Sequence, residues 1–373
     1  EGVDSNKFKE VEKLIMDCLT NLVEDGVPKD LIDSSLHQLE IRQREITGSG
    51  MPFGLQIMLT CLPACIHNDN PLNVLDLDTA FNTIKNNLKT DNYIENLIDR
   101  SLIKNNHRLT YSLIPDTGLN KKNEEKIQNK VFEITKNFSS DDKEKLIKLA
   151  KDLEKRQNSI DDPEVLPKVT KEDIPKTRNY ASPITFAKNE STNYVYKSGT
   201  NGIVYHSMIF PCEALDKNEL EVASLFSNTL TDIGLGKDGY EDIQKYQSSI
   251  TGGISASFIT LPNKSDDTFK LALKVSSKSL EGNESFMQDL ILRTVKESSF
   301  DETKRIQELL EFISSDNEKS VIQNGHILSM SNAASQISDI ASTNDLTSGL
   351  RFVHNTNHLS KLVNEQNELT KYL

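Results

Sequence analysis

Long apolar runs, an excess of basic residues and clustered cysteines are all missing from this chain of 373 residues. No apolar stretch approaches the roughly 18 residues that a membrane-spanning helix needs, so we predict no membrane span and no membrane partner. The formal net charge is −13. Binding to nucleic acid needs clustered Lys and Arg, so we expect no nucleic-acid partner. An acidic surface would suit a basic peptide, although most acidic proteins are simply soluble.

The cysteines are few and scattered, at Cys18, Cys61, Cys65 and Cys212. Only Cys61 and Cys65 lie close together, and their spacing is helical. So few thiols in a chain of this length predict reduced, buried side chains in the cytoplasm, or alternatively in a mitochondrial or other organelle matrix. The first five residues contain no Met, basic group or apolar run, so we predict no signal peptide there.

The motifs of zinc peptidases are missing as well. H-E-x-x-H and H-x-x-E-H each place two His ligands on one helical face, with a Glu beside the metal-bound water. The nearest matches are residues 37–41, where Ile41 stands at the second ligand position, and residues 354–358, where Asn355 replaces the base. We therefore predict no catalytic, cofactor-binding or metal-binding residue in this chain.

Two groups of residues resemble metal sites, and each has a simpler structural interpretation. His354 and His358 could face one metal at i, i+4 spacing, but no third ligand is evident, which favours a solvent-exposed helical face. Cys61, Cys65 and His67 could form a cluster, but their apolar setting favours buried structural thiols.

Three other candidates are also expected to be structural. His37 and Glu40 are predicted on a helix surface, and His206 on one face of a strand. Residues 234–239 fit G-x-G-x-x-G, but a dinucleotide site needs a preceding strand, whereas the pattern here predicts a helix. These glycines are therefore expected to end that helix.

Residues 1–116 form a mostly helical first region. Apolar residues recur at helical spacing from Phe8 to Leu22, and a short apolar helix is predicted over residues 54–65, where Pro63 helps to end it. The pattern from residue 107 to residue 114 predicts a strand.

Residues 117–178 are charged and predict a helical hairpin. One helix carries a narrow apolar stripe that includes Ile127 and Val131, and the other a stripe that includes Leu146 and Leu149. Hydroxyls and acids at residues 139–142 predict the start of the second helix. Because each stripe can bury one face only, we expect each helix to lie against a neighbouring surface.

Residues 179–373 predict an α+β fold in which helices pack on one face of a largely antiparallel sheet. Strands are expected at 194–197 and 203–210, joined by a hairpin-like turn, and at 254–261 and 269–275. Further helices are expected around 216–230, opened by a capping box of Asp216 and Glu219, and around 286–295 and 303–313. Alternation in the second strand places Val204, His206, Met208 and Phe210 toward the helices and Tyr205, Ser207 and Ile209 away from them.

Several segments, in the order in which they occur, resemble one peptidase family. They are GLQ at 54–56, LP at 62–63 and DNPL at 69–72; YIENLI at 93–98, NHR at 106–108 and LIPD at 113–116; KEDIP at 171–175; TNGIVY at 200–205, TGGIS at 251–255 and NGH at 324–326. Together they resemble the presequence-protease branch of the pitrilysin/insulinase-type zinc metallopeptidases, and the likeness covers nearly the whole chain.

The resemblance implies four similar α/β domains in two halves that close around a peptide chamber. It implies that residues 1–116 are the C-terminal part of the second peptidase-like domain, that 117–178 are a helical hairpin linker, and that 179–373 are the third domain. The family's zinc site and catalytic Glu lie in the first domain, and an Arg/Tyr pair that holds substrate lies in the fourth. Both domains fall outside this chain and would be its partners.

The function that follows is a non-catalytic interior part, chamber wall and hinge, of a zinc metalloendopeptidase that degrades short unstructured peptides. Zinc belongs to the parent and not to these residues. The alternative is a non-catalytic scaffold or binding subunit of the same superfamily. A third interpretation, an unrelated helical adaptor that binds through its charged hairpin, is disfavoured by the strands after residue 179.

Overall fold

The computed structural model describes residues 3–4, 6–46, 50–177, 181–188, 191–212, 215–266 and 268–366. The chain divides into two compact units: the first unit contains residues 1–19 and 103–197, and the second unit contains residues 20–102 and 198–373. Within the described ranges, no helix is both long enough and apolar enough to cross a membrane. The domain boundary expected at 116–117 stays a prediction, and the one at 178–179 lies outside the described residues.

Helices dominate the chain, and the strands form two small antiparallel sheets, so the predicted α+β class is confirmed. The helices are α1 Phe8–Asp25, α2 Lys29–Arg44, α3 Phe53–Ile66, α4 Pro71–Leu75, α5 Leu77–Asn87, α6 Tyr93–Ile98, α7 Leu119–Thr135, α8 Ser140–Asn158, α9 Lys217–Thr229, α10 Tyr240–Ile250, α11 Glu284–Glu297, α12 Thr303–Ala334, α13 Asp339–Ser348 and α14 Leu350–Gln366. The strands are β1 Ile184–Lys188, β2 Ser191–Val195, β3 Ile203–Pro211, β4 Ile254–Pro262 and β5 Phe269–Leu280.

The second unit is built around a three-stranded antiparallel sheet in the order β3-β5-β4. Leu273 and Val275 on β5 pack against Leu230, Met287 and Ile291 from the α9 end and α11. The β3 side chains that were predicted to face the helices join this core. The side chains on the other face of β3 remain about half exposed. The core-facing group is Val204, Met208 and Phe210, and the exposed group includes Tyr205 at 50% and Ile209 at 49%. The register predicted for β3 is therefore confirmed.

The capping box predicted at Asp216 and Glu219 is present, and the helix start predicted at residues 139–142 also forms a capping box. Asp216 accepts hydrogen bonds from the backbone N–H of Asn218 and Glu219, and the Glu219 side chain accepts one from the Asp216 N–H. Ser139 and Asp142 make the same reciprocal arrangement at the start of α8. Both patterns join residues three positions apart, so they do not depend on the tertiary fold.

The hairpin predicted between residues 194–197 and β3 is wrong. β2 pairs instead with β1, a strand that the sequence pattern does not predict. Asn201 and Gly202 have positive φ angles and lead into β3 through a turn, but β3 takes its hydrogen-bonded partner from β5. Turn-forming residues determine where the chain reverses direction. Which strands then form hydrogen bonds with each other depends on which strands lie side by side in the folded protein.

The strand predicted at residues 107–114 is not formed. This segment lies along α1 in the first unit, where the Thr110 hydroxyl donates to Glu12 at 2.9 Å. Leu109, Tyr111 and Leu113 are 82%, 74% and 84% exposed. A strand needs a neighbouring ladder to satisfy its backbone groups, and no described strand lies beside this segment.

Two helices run further than expected. α3 continues through Pro63 to Ile66, since its last turn still closes with a 3.0 Å hydrogen bond from the His67 N–H to the Pro63 carbonyl. α12 extends from the predicted 303–313 to Ala334, with a kink at Asn324 where φ is −111°.

Both helices predicted for residues 117–178 are present as α7 and α8. Their apolar stripes, however, are not buried: the exposed side chains include Ile127, Val131, Leu146 and Leu149. The expectation that each stripe lies against a neighbouring surface is therefore wrong for the described chain.

Candidate functional site

The outer face of the three-stranded sheet is the most distinctive surface of the second unit. β5 places Lys270, Lys274 and Lys278 at four-residue intervals, and alternation puts all three on the face opposite the core. We call this surface the lysine face. Its other members are Tyr205, Ser207 and Ile209 on β3, Ser255, Ser257, Ile259 and Leu261 on β4, and Ala272 and Ser276 on β5.

The lysine face is positively charged, because the strands that form it contain lysines but no acidic residues to neutralise them. β3, β4 and β5 contain no Asp or Glu. Lys278 donates to both carboxylate oxygens of Glu45, at 2.6 and 2.7 Å. Lys270 and Lys274 form no ion pair with any described residue. Two of the three ammonium groups are therefore available to a ligand.

Tyr205 lies beside Lys278, at the end of the lysine face where Glu45 binds that lysine. Its hydroxyl is 3.4 Å from a carboxylate oxygen of Glu45, to which it donates. Partial burial and this carboxylate raise the pKa of Tyr205 above its ordinary value. The phenol therefore stays protonated and acts as a hydrogen-bond donor.

Glu45 is the residue that follows the last residue of α2. We use the name α2–α10 junction for α2 with Glu45, α10, and residues 251–253. This junction attaches α2 to the sheet of the second unit. The Gln38 side-chain NH₂ donates to the carbonyls of Ser248 and Thr251 at 2.5 and 2.6 Å. Ile41 is only 2% exposed and packs against Gly252. Residues more than 200 positions apart in the sequence are thereby fixed together.

Glu40 is buried within this junction, so its prediction as a surface residue is wrong. It is 8% exposed and receives hydrogen bonds from Arg44 and Lys85, each at 3.0 Å. Arg44 also pairs with Asp78 at 2.5 Å. Burial alone would raise the pKa of Glu40, but the bonds from Lys85 and Arg44 outweigh it and hold this pKa below its ordinary value. A buried carboxylate is tolerated because two cations contact it.

His37 is half-buried beside Glu40, and its prediction as a surface residue is likewise wrong. Its Nε2 atom is buried without a hydrogen-bond partner. Burial lowers the pKa of His37, against opposing contributions from the backbone of Ile250 and from Glu40, while Lys85 lowers it further. The neutral imidazole is thus the form that the junction accommodates.

Acidification is expected to weaken the junction through His37. Because its folded pKa lies below the unfolded value of about 6.5, the unfolded chain binds the proton more readily, and stability is lost as pH falls below that value. Urea denaturation between about pH 7.5 and about pH 5.5 should show a smaller loss of stability for His37→Gln than for the wild type. His354→Gln is the matched control, since His354 is exposed on α14. An equal loss in the wild type and in both variants would contradict this role.

The other sequence candidates lie apart from one another. His354 and His358 are exposed on α14, which confirms the solvent-exposed helical face. His206 lies on the core-facing side of β3 as predicted, and burial lowers its pKa. All four cysteines are free, but Cys18 and Cys65 are exposed, so the predicted burial is wrong for these two. Across the described ranges, no three His, Cys, Asp or Glu residues are placed to hold a metal ion.

The glycine-rich residues 234–239 do not end α9, which stops at Thr229. They form a loop between α9 and α10, and Glu302 holds this loop by accepting the N–H of Gly234 at 2.6 Å and that of Tyr240 at 3.2 Å. The expectation that these glycines terminate the helix is therefore wrong. Sequence reasoning missed Glu302, Gln38 and Glu45, because each acts on residues far away in the chain.

The chain matches the family model "Peptidase M16C associated" over residues 113–359. Protein HypA of Clostridium perfringens is 28% identical over 359 residues, which cover 94% of this chain and 36% of that protein. The mitochondrial presequence protease of Eremothecium gossypii is 24% identical, covering 98% of this chain and 36% of that protein. Presequence protease 1, chloroplastic/mitochondrial, of Arabidopsis thaliana is 23% identical, covering 98% and 34%.

The chain spans about a third of the length of these curated relatives. The matched family region includes α7 and α8 as well as the whole three-stranded sheet. The order of elements, the sequence segments and the family match thus agree: the chain belongs to the peptidase M16C-associated family, in the presequence-protease branch of the pitrilysin/insulinase-type peptidases.

Proposed function

We propose that this chain is a non-catalytic part of a zinc metalloendopeptidase that degrades short unstructured peptides, and that it contributes chamber wall and hinge. The observation that carries the proposal is the two-sided sheet: one face packs against α9 and α11, and the opposite lysine face carries exposed lysine, serine and tyrosine side chains. The hydroxyl groups on this face can donate hydrogen bonds to, or accept them from, the backbone of an extended peptide.

Zinc would be held elsewhere in the parent protein, because the residues described here do not fit it. His37 and His206 each have a buried Nε2 atom without a partner, but neither stands in a group of three possible ligands. The pair His354 and His358 is exposed, and the residue between them at the base position is Asn355. In the proposed function this chain therefore contributes no catalytic step.

The hinge part of the proposal rests on the position of residues 117–178 between the regions assigned to the two halves. Their helices carry exposed apolar stripes, and prolines follow at 163, 167 and 175. Closure of such a chamber excludes water and admits peptides by size rather than by sequence. The names of two relatives place them in mitochondria or chloroplasts, so an organelle matrix and the cytoplasm are both open for this protein.

The proposal predicts a longer parent protein, and the test compares the 373-residue chain with that parent. We expect the dialysed chain alone to hold no stoichiometric zinc and to leave a fluorogenic peptide uncleaved, while the longer protein cleaves it in a chelator-sensitive manner. A cross-link that holds residues 117–178 to the third region should slow that cleavage without changing the zinc content.

The competing function is a scaffold or binding subunit of the same superfamily. A degenerate H-x-x-E-H segment in the longer protein, together with no cleavage, would favour the scaffold. Chelator-sensitive cleavage by the 373-residue chain itself would overturn the non-catalytic assignment.

A further inference from the structure

We propose that the lysine face binds acidic segments of extended peptides and gives the chamber a preference for them. The inference rests on the proposed function, and it adds the charge of the favoured peptide. Neither the family match nor the names of the relatives assigns a ligand to this sheet face.

The spacing of the lysines matches an extended peptide. Residues four positions apart on a strand are separated by about 13 Å, since each residue advances about 3.3 Å. Lys270, Lys274 and Lys278 therefore form a row along one face of the central strand. A peptide lying in extended conformation has the same rise, so carboxylates four residues apart would meet successive ammonium groups.

The groups between the lysines suit a peptide better than a small anion. Ser207 and Ser276 share a 2.9 Å hydrogen bond, and Ser255 and Ser257 are exposed on the neighbouring strand. Their hydroxyls can donate to, or accept from, a peptide backbone. Ile209 lies beside Lys274 and Leu261 beside Lys270, which provides apolar contact next to each available charge.

The positive charge of the lysine face attracts an acidic ligand, whereas the negative charge of the rest of the surface repels it. The chain as a whole carries a formal charge of −13, so most of its surface repels a peptide rich in Asp and Glu. The lysine face differs because its three strands contain three Lys and no acidic residue. Glu45 neutralises Lys278 at one end, which leaves Lys270 and Lys274 as the pair that selects the ligand.

The test is binding of the 373-residue chain to fluorescent peptides of about 12 residues, long enough to span the three lysines. One peptide carries Glu at every fourth position in a Ser/Gly background, and its partners carry Gln or Lys at those positions. We expect the Glu peptide to bind about tenfold more tightly than the Gln peptide and to weaken as salt rises, as an exposed charge interaction does.

Variants locate the effect on the lysine face. The double neutralisation of Lys270→Gln and Lys274→Gln should remove the preference for the Glu peptide. Lys148→Gln with Lys151→Gln makes the same charge change on exposed positions of α8 and should leave the preference intact. Circular dichroism and thermal midpoints confirm that both double variants fold.

Three outcomes would overturn the inference: equal binding of the Glu and Gln peptides, unchanged binding after neutralisation of the lysine face, or tighter binding of a single-stranded oligonucleotide than of the Glu peptide. The proposed function is judged separately, by cleavage in the longer protein. Cleavage that shows no preference for peptide charge would therefore leave the chamber wall standing and remove only its selectivity.

Discussion

Asp345→Ala is expected to lower the free energy of unfolding by about 2–4 kcal/mol, because it removes a buried carboxylate and leaves its donors unpaired. Asp345 has no exposed surface. Its carboxylate accepts hydrogen bonds from Arg351 at 2.7 Å, from the Leu350 N–H at 2.9 Å and from Asn332 at 3.1 Å. One side chain on α13 therefore binds α12 and α14 together.

The position of Asp345 in the fold makes the effect wider than one ion pair. α13 packs against α9 and β4, so loosening it disturbs the helices behind the sheet. Arg351 keeps hydrogen bonds to Ser342 and is partly solvated, which limits the loss. We expect lowered protection from hydrogen exchange in α12–α14 in addition to a lower urea midpoint.

Asp289→Ala is the matched control, since Asp289 is exposed on α11 and its loss should change stability by less than about 0.5 kcal/mol. If Asp345→Ala were no more destabilising than Asp289→Ala, the buried carboxylate would not be what joins the three helices.

Gly252→Val is expected to destabilise the second unit by about 1–3 kcal/mol and to release α2 from α10. A Cβ atom at this position would lie 2.9 Å from Cγ2 of Ile41 and 2.8 Å from Cε of Lys278. Both neighbours are held in place, Ile41 by burial and Lys278 by its ion pair with Glu45. The added side chain therefore has to push the two elements apart.

The local measurement for Gly252→Val is hydrogen exchange in α2, which should speed up while exchange in α7 and α8 is unchanged. Gly199→Ala is the control, because nothing lies within 4 Å of a Cβ placed at Gly199. Unaltered protection of α2 in Gly252→Val would show that the α2–α10 junction is not maintained by this close contact.

The sequence predicted those features of the fold that depend on neighbouring residues. The capping box at Asp216 and the helix start near Ser139 form as predicted, because each depends on a partner three residues away. The two faces of β3 also follow from sequence, since side chains alternate along any strand and the apolar set meets the core. The family resemblance was predictable for the same reason, because it rests on short segments in a fixed order.

Features that depend on distant residues were not predictable in this way. The sequence suggested a strand at 107–114 and a pairing of β2 with β3, but strand formation depends on which ladder lies alongside. Glu40 and His37 were expected on a surface because a helical pattern does not show which other helices will cover it. Burial lowers the pKa of His37, whereas the cations of Lys85 and Arg44 lower that of Glu40.

The sequence by itself determined the α+β class, the alternation of β3 and the membership of a peptidase family whose zinc motif these residues lack. Tertiary structure alone decided that α2 joins the second unit through Gln38, Ile41 and Gly252, and that β5 lies between β3 and β4. The physical reason is range. Caps and alternation are set within a few residues, whereas burial, ion pairing and strand order are set by side chains that only the folded chain brings together.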